Sequence, residues 1–269
     1  MAEESINTGA AAVTSVERDG DVTLIAGPCS VESLEQMREV GAACKELGVR
    51  VMRGGAYKPR TSPYSFQGLE EEGLKILREV GDEFDLQVVT EVIDSSHVEI
   101  VDEYVDMLQI GTRNMANFSL LKKIGAATAD SGKAVLFKRG MAATIEEWLA
   151  ASEYITMQGN TNVILCERGI RTFETSTRFT LDITAVPVVK KLSVLPIIVD
   201  ASHPTGQADL VPAVCRAAVA IGADGLMVEV HPDPRAALCD GPQSLDIAGL
   251  KNLVVELEPV ARAVGRSLA

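Results

Sequence analysis

The sequence has no apolar run approaching the roughly 20 residues that a membrane-spanning helix requires. Its first 20 residues, MAEESINTGAAAVTSVERDG, are acidic and lack the basic flank and apolar centre of a secretory signal. Cysteine is sparse and odd in number: five thiols are scattered through patterns that read as strands and helices. That distribution excludes a disulfide framework and suits a reducing compartment, so a cytoplasmic protein is expected. Basic charge is short too. Lys and Arg number 25 against 38 Asp and Glu, a formal net charge of −13. Such a balance disfavours nucleic acid and anionic membranes as partners. No low-complexity tract and no linker divides the chain.

What remains is one sustained alternation. Continuous Val/Ile/Leu/Met runs fall at residues 22–26, 49–53, 86–91, 106–111, 134–139, 162–167, 195–200 and 225–230. Unbroken apolar runs of this length are the mark of parallel strands buried on both faces. Helical periodicity fills the gaps at 31–47, 68–80, 96–104, 118–130, 145–157, 186–192, 210–221 and 245–264. Thr144 and Glu147 have capping-box spacing, Ser30 can cap the first helix, and Pro187 suits a first helical turn. The chain has 269 residues, and a (β/α)8 TIM barrel takes roughly 250. The expected architecture is therefore an α/β protein with a short arm (1–20), weakly structured, and a single (β/α)8 catalytic barrel (21–269). A doubly wound sheet is the other arrangement such an alternation permits.

The unusual residues sit just past the strands, where such barrels keep their chemistry. A closed barrel sets strand 8 beside strands 1 and 7. Cys29, His203, Glu229 and Asp240 then converge on one arc of the rim. A thiolate, an imidazole and two carboxylates are the donor set of a divalent transition-metal site. The facing arc carries Arg53, Lys58, Arg113, Lys138 and Arg168. Cations gathered in one mouth of so acidic a chain imply an anionic ligand, and arginine forks match phosphate and carboxylate.

The runs IAGPCSVES, GGAYKPRTSPYSFQGL, LQIGTRN, LFKRG, DASHPTG, VEVHPDP and CDGPQSL resemble the signature segments of 3-deoxy-7-phosphoheptulonate synthases, in their short catalytic-core form. The resemblance covers nearly all of the chain after residue 20. It implies condensation of phosphoenolpyruvate with erythrose 4-phosphate, the first step of the shikimate pathway to aromatic amino acids, with no organic cofactor. It implies metal ligation by Cys29, His203, Glu229 and Asp240, the ion being manganese, iron, cobalt or zinc and acting as a Lewis acid on the aldehyde. It implies that Arg113 and Arg168 hold the phosphate of phosphoenolpyruvate, with Arg53, Lys58 and Lys138 around its carboxylate and neighbouring oxygens. Arg60 and Thr61 would take the sugar phosphate, and Glu91 and Gln109 would contact water or substrate. Lys58, His203 and Asp240 are the candidates for catalytic proton transfer. A homotetramer or dimer and little inhibition by aromatic amino acids are further expectations.

Other readings compete. The octulosonate 8-phosphate synthases resemble this chain but read Lys-Ala-Asn-Arg where it has Lys58-Pro59-Arg60-Thr61, which favours the four-carbon sugar. A Schiff-base aldolase would use Lys138 as nucleophile, and a binding protein would keep phosphate affinity without chemistry. Cys44, Cys166, Cys215 and Cys239 are expected to be packing residues. His97 is expected at the surface, Arg139 and Arg171 are as compatible with salt bridges as with substrate, and His231 stands between ligand support and substrate contact. Glu70, Glu71 and Glu72 read as a solvated first turn of a helix.

Overall fold

In the computed structural model, which describes residues 16–59, 62 and 64–269, eight strands close into a barrel in sequential order, every neighbouring pair parallel. The strands are β1 (Thr23–Gly27), β2 (Val51–Arg53), β3 (Gln87–Glu91), β4 (Met107–Ile110), β5 (Ala134–Lys138), β6 (Val163–Glu167), β7 (Ile197–Asp200) and β8 (Gly225–Glu229). Closure is made by β1 against β8, from Thr23 opposite Gly225 to Gly27 opposite Glu229. A doubly wound sheet is thereby excluded. The helices are α1 (Leu34–Glu46), α2 (Glu70–Phe84), α3 (Val98–Tyr104), α4 (Phe118–Ala127), α5 (Ile145–Thr156), α6 (Ala185–Leu192), α7 (Ser202–Thr205), α8 (Val211–Ala220) and α9 (Ile247–Ala263). The one-turn α7, which the periodicity did not signal, is inserted between β7 and its covering helix.

Successive side chains on a strand point to opposite faces, and this sorts the core into two parts. One alternate set, including Ile25, Val51, Val89, Met107, Leu136, Cys166, Ile198 and Met227, points into the barrel and forms its own apolar cluster. The other set, such as Leu24, Met52, Val88, Leu108 and Phe137, packs outward beneath the helices. Val16 joins the inner cluster and is buried. The described end of the arm is therefore not loose. Arg18 Nη2 donates to the Lys190 carbonyl at 2.5 Å, and the Asp19 amide donates to Asp224 Oδ1 at 2.8 Å. Residues 1–15 of the expected arm lie outside the described residues.

Helix boundaries differ from expectation for local reasons. Ser33, not Ser30, caps α1, its Oγ accepting from the Gln36 amide at 3.1 Å. Ser30 is buried and its hydroxyl donates to Glu32, so the β1–α1 loop is three residues longer than its polarity suggests. The second helix begins at Glu70 rather than residue 68 and runs past Val80 to Phe84, ending where Asp85 turns left-handed at φ 54°. Glu70, Glu71 and Glu72 do form its first turn, and the Thr144–Glu147 capping box is complete on α5.

Gly27 shows how tightly the mouth is built. Its φ is +150°, and a Cβ there would lie 2.1 Å from the Arg53 carbonyl oxygen. Gly27→Ala is expected to lower stability by about 2 kcal/mol or more through strain and steric overlap. A urea midpoint equal to that of the unmodified protein would show that the backbone gives way freely.

Candidate functional site

The same alternation that fills the barrel base with apolar side chains puts polar ones two residues higher. Val51 is followed by Arg53, Val89 by Glu91, Met107 by Gln109, Leu136 by Lys138, Cys166 by Arg168, Ile198 by Asp200 and Met227 by Glu229. Arg53, Lys58, Glu91, Gln109, Arg113, Lys138, Arg168, His203 and Asp240 all line one cavity of about 270 Å³ at the carboxyl end of the barrel. Arg60 and Thr61 lie outside the described residues.

The four predicted donors meet. One ligand atom each from Cys29, His203, Glu229 and Asp240 lies within 4.8 Å of the other three. Cys29 Sγ is 3.5 Å from Asp240 Oδ2, and His203 Nε2 is 3.3 Å from Glu229 Oε1. Glu229 is fully buried, yet its Oε1 accepts no aligned hydrogen bond. Its near neighbours, Arg53 Nη1 at 3.1 Å and His203 Nε2, are not aligned as hydrogen-bond donors, and a divalent cation is a partner that the donor set fits. Burial lowers the His203 pKa, which favours the neutral, lone-pair-bearing imidazole that metal ligation needs. Burial opposes ionisation of Asp240, but Arg178, 3.2 Å from Oδ2, outweighs it and brings that carboxyl down to about 2. The Cys29 thiol is pushed well above its usual range by its hydrogen bond with Cys239, by burial and by the charge of Glu229. Cys239 is thus more than a packing residue.

The cationic wall lies against this cluster. Lys58 Nζ donates to the Cys29 carbonyl at 2.8 Å and to Cys29 Sγ at 3.1 Å; Arg53 Nη1 is 3.1 Å from Glu229 Oε1. Lys138 Nζ is paired with Asp200 Oδ2 at 2.6 Å, buried from solvent. Arg113 and Arg168 have no carboxylate partner among the described residues; the Arg168 guanidinium lies 3.9 Å from the Phe179 ring centroid. Two unneutralised guanidinium groups in one polar cavity are an anion site in waiting.

Sequence reasoning missed three supports. Asp200 is fully buried, 2.7 Å from His203 Nδ1 and 2.6 Å from Lys138, so one carboxylate orients a donor of the cluster and a cation of the wall. Burial would raise its pKa; the neighbouring His203 and Lys138 outweigh burial and hold it well below the carboxylate range. Its place in DASH at a strand end was visible, and its inward parity was the signal. Arg178 also donates to Gln243 Oε1 at 2.8 Å, and Gln243 Nε2 donates to Glu229 Oε2 at 2.7 Å. Arg178 stands on a loop and Gln243 on a single 3-10 turn, and neither carries a periodicity to read.

Other predicted residues fall elsewhere. Arg139 points outward from β5 and pairs with Glu167 at 2.8 Å and Asp182 at 2.9 Å, a structural role. Arg171 reaches the Met141 sulfur at the surface. His97 is half-buried and stacks on Tyr57 with centroids 4.4 Å apart, so it is not a plain surface residue. His231 meets Glu32 rather than the cavity. A larger groove of about 810 Å³, bordered by Asp209, Arg235 and α9, gathers no comparable set of donors.

Fold and site together define a (β/α)8-barrel protein whose mouth joins a four-donor cluster to a cationic, phosphate-compatible wall. The family model described as the DAHP synthetase I family matches residues 8–263, and the chain belongs to that family. It is 56% identical over 247 residues to a phospho-2-dehydro-3-deoxyheptonate aldolase of Thermotoga maritima, covering 92% of this chain and 72% of that relative. A 2-dehydro-3-deoxyphosphooctonate aldolase of Bradyrhizobium diazoefficiens is 32% identical over 276 residues, covering 94% and 96%. The crystal structure of the Thermotoga maritima DAHP synthase superposes with a TM-score of 0.89 at 54% identity, covering 93% of this chain and 72% of that one. A truncated form of the 3-deoxy-D-arabino-heptulosonate 7-phosphate synthase from the same organism gives 0.85 at 51% identity, covering 93% and 90%.

Removing the charge of Asp200 tests its bridging role. Asp200→Asn should cost about 3 kcal/mol, because it strands a buried ammonium. Adding Lys138→Met should recover much of that loss. Additive losses in urea unfolding of the single and double variants would show that the two side chains are not coupled.

Proposed function

We propose that this chain condenses phosphoenolpyruvate with erythrose 4-phosphate and water, giving 3-deoxy-D-arabino-heptulosonate 7-phosphate and phosphate, as a metal-dependent aldehyde-condensing transferase of aromatic amino acid biosynthesis. The observation that carries the reading is the cluster of Cys29, His203, Glu229 and Asp240, whose His203 and Asp240 line the same cavity as six Lys and Arg side chains. Sequence likeness supports the sugar: the heptonate relative is 56% identical, whereas an octonate relative is 32% identical.

The residues divide the work by chemistry. Cys29, His203, Glu229 and Asp240 would hold a divalent ion, which supplies Lewis-acid polarisation of the aldehyde when bound. Manganese, iron, cobalt and zinc all suit this donor set. Arg113 and Arg168 are the natural partners for the phosphate of phosphoenolpyruvate, since no carboxylate competes for them. Arg53, Lys58 and Lys138 surround its carboxylate end and offset the repulsion between two anionic substrates. Arg60 and Thr61 follow Pro59, which lines the cavity, and would take the sugar phosphate. Glu91 and Gln109, joined by a 3.3 Å hydrogen bond, would orient water or a hydroxyl. As carbon 3 of phosphoenolpyruvate bonds to the aldehyde carbon, positive character at carbon 2 is captured by water before phosphate departs. Lys58, His203 and Asp240 border the place where the aldehyde oxygen gains its proton. Lys138 is spoken for by Asp200, which argues against its acting as a Schiff-base nucleophile. A cytoplasmic homotetramer or dimer completes the reading.

Loss of phosphoenolpyruvate absorbance should occur with erythrose 4-phosphate and not with arabinose 5-phosphate, and a chelator should abolish it. Preference for the five-carbon sugar would transfer the function to the octulosonate class. Turnover that survives thorough metal removal would remove the metal from the mechanism. Cys29→Ser should weaken metal binding and activity while leaving the circular dichroism of the barrel unchanged; full activity in that variant would take Cys29 out of the site.

A further inference from the structure

The segment after β8 leaves the cluster at Glu229 and returns to it at Asp240. Residues 231–240 form turns and bends with no helix or strand to fix them. Asp240 itself stands at φ 50°, a left-handed conformation that Asp reaches at modest cost and that a constraint on the preceding segment helps to hold. Glu32, on the loop between β1 and α1, supplies such a constraint. Its side chain is 12% exposed. Its Oε1 accepts from the Leu238 amide at 3.0 Å and from the Ser30 hydroxyl at 3.1 Å. Its Oε2 stands 3.3 Å from His231 Nε2. The Asp233 amide donates to His231 Nδ1 at 3.0 Å, which requires a lone pair on that nitrogen. The neutral ring therefore carries its proton on Nε2 and donates it to Glu32.

One carboxylate thus gathers donors from the β1 loop, from the foot of the β8 loop and from its far end. Cys29 lies three residues before it in the chain, and Asp240 two residues after Leu238. We propose that Glu32, held by His231, is the positioning residue that sets the separation of Cys29 from Asp240 and thereby tunes divalent-cation affinity. This rests on the metal reading given above. Glu32 touches neither the cavity nor the four donors; it acts by fixing the two loops that carry the outer pair.

Cobalt(II) titration of the metal-free protein, followed by its thiolate-to-cobalt charge-transfer band, tests both statements separately. The unmodified protein should show the band; its absence would sink the metal reading and this inference with it. Glu32→Ala should bind cobalt about 10–100-fold more weakly, the usual scale for loss of a group that orients metal ligands, with a weaker band at saturation. Glu32→Gln is nearly isosteric and keeps one acceptor for the Leu238 amide, but its NH2 group confronts the His231 N–H. It should fall between the two, and it carries the test if the alanine variant does not fold. Unmodified affinity and band in a folded Glu32 variant would overturn the inference and leave the metal site standing.

Discussion

A side chain returns to the same face of a strand every second residue, and the barrel applies that rule to all its strands at one height. Everything at the mouth depends on it. The apolar inner ring of Ile25, Val51, Val89, Met107, Leu136, Cys166, Ile198 and Met227 closes the base. One step higher the same parity delivers Arg53, Gln109, Lys138, Arg168, Asp200 and Glu229, all buried, and the half-buried Glu91 to the mouth. Residues of opposite parity are lost to the site even when adjacent to it, as Arg139 is beside Lys138. There they form ion pairs under the helices instead.

Packing so many charges together is stable only if they are mutually compensated. The compensation is uneven, and the unevenness is informative. Lys138 is balanced by Asp200 and Arg53 by Glu229. Arg113 and Arg168 have no such partner among the described residues, and Glu229 Oε1 lacks an aligned donor. The uncompensated groups are thus the two guanidinium groups on the wall; Glu229 Oε1 has the charge of Arg53 beside it but no aligned hydrogen bond. An anionic ligand would pair the free guanidinium groups, and a divalent cation would bind the four gathered donors.

The supports form a second layer with a division of labour. Asp200 ties His203 to Lys138, linking the donor cluster to the wall through one buried carboxylate. Arg178 and Gln243 reach the carboxylates of Asp240 and Glu229 from the opposite side. Glu32 and His231 join the β1 loop to the β8 loop. Each donor of the cluster except Cys29 therefore has an oriented polar neighbour of its own, and Cys29 has Lys58 and Cys239.

The sequence by itself determined the barrel, because eight apolar runs separated by helical periodicity admit few closed solutions. It also determined the four donors and the cationic wall, because rare residue types recur just past strand ends. Strand parity also distinguishes Lys138, which faces the mouth, from Arg139, which faces the helices. Tertiary structure alone decided which groups support the four donors. Arg178 is 62 residues from Asp240, Glu32 is 199 from His231, and Lys138 is 62 from Asp200. Such partners leave no local periodicity, since their spacing is set by how loops from different strands meet above the barrel. The first cap was settled locally: Ser33 caps α1, while the Ser30 hydroxyl donates to Glu32, whose carboxylate also accepts from the Leu238 amide of the β8 loop.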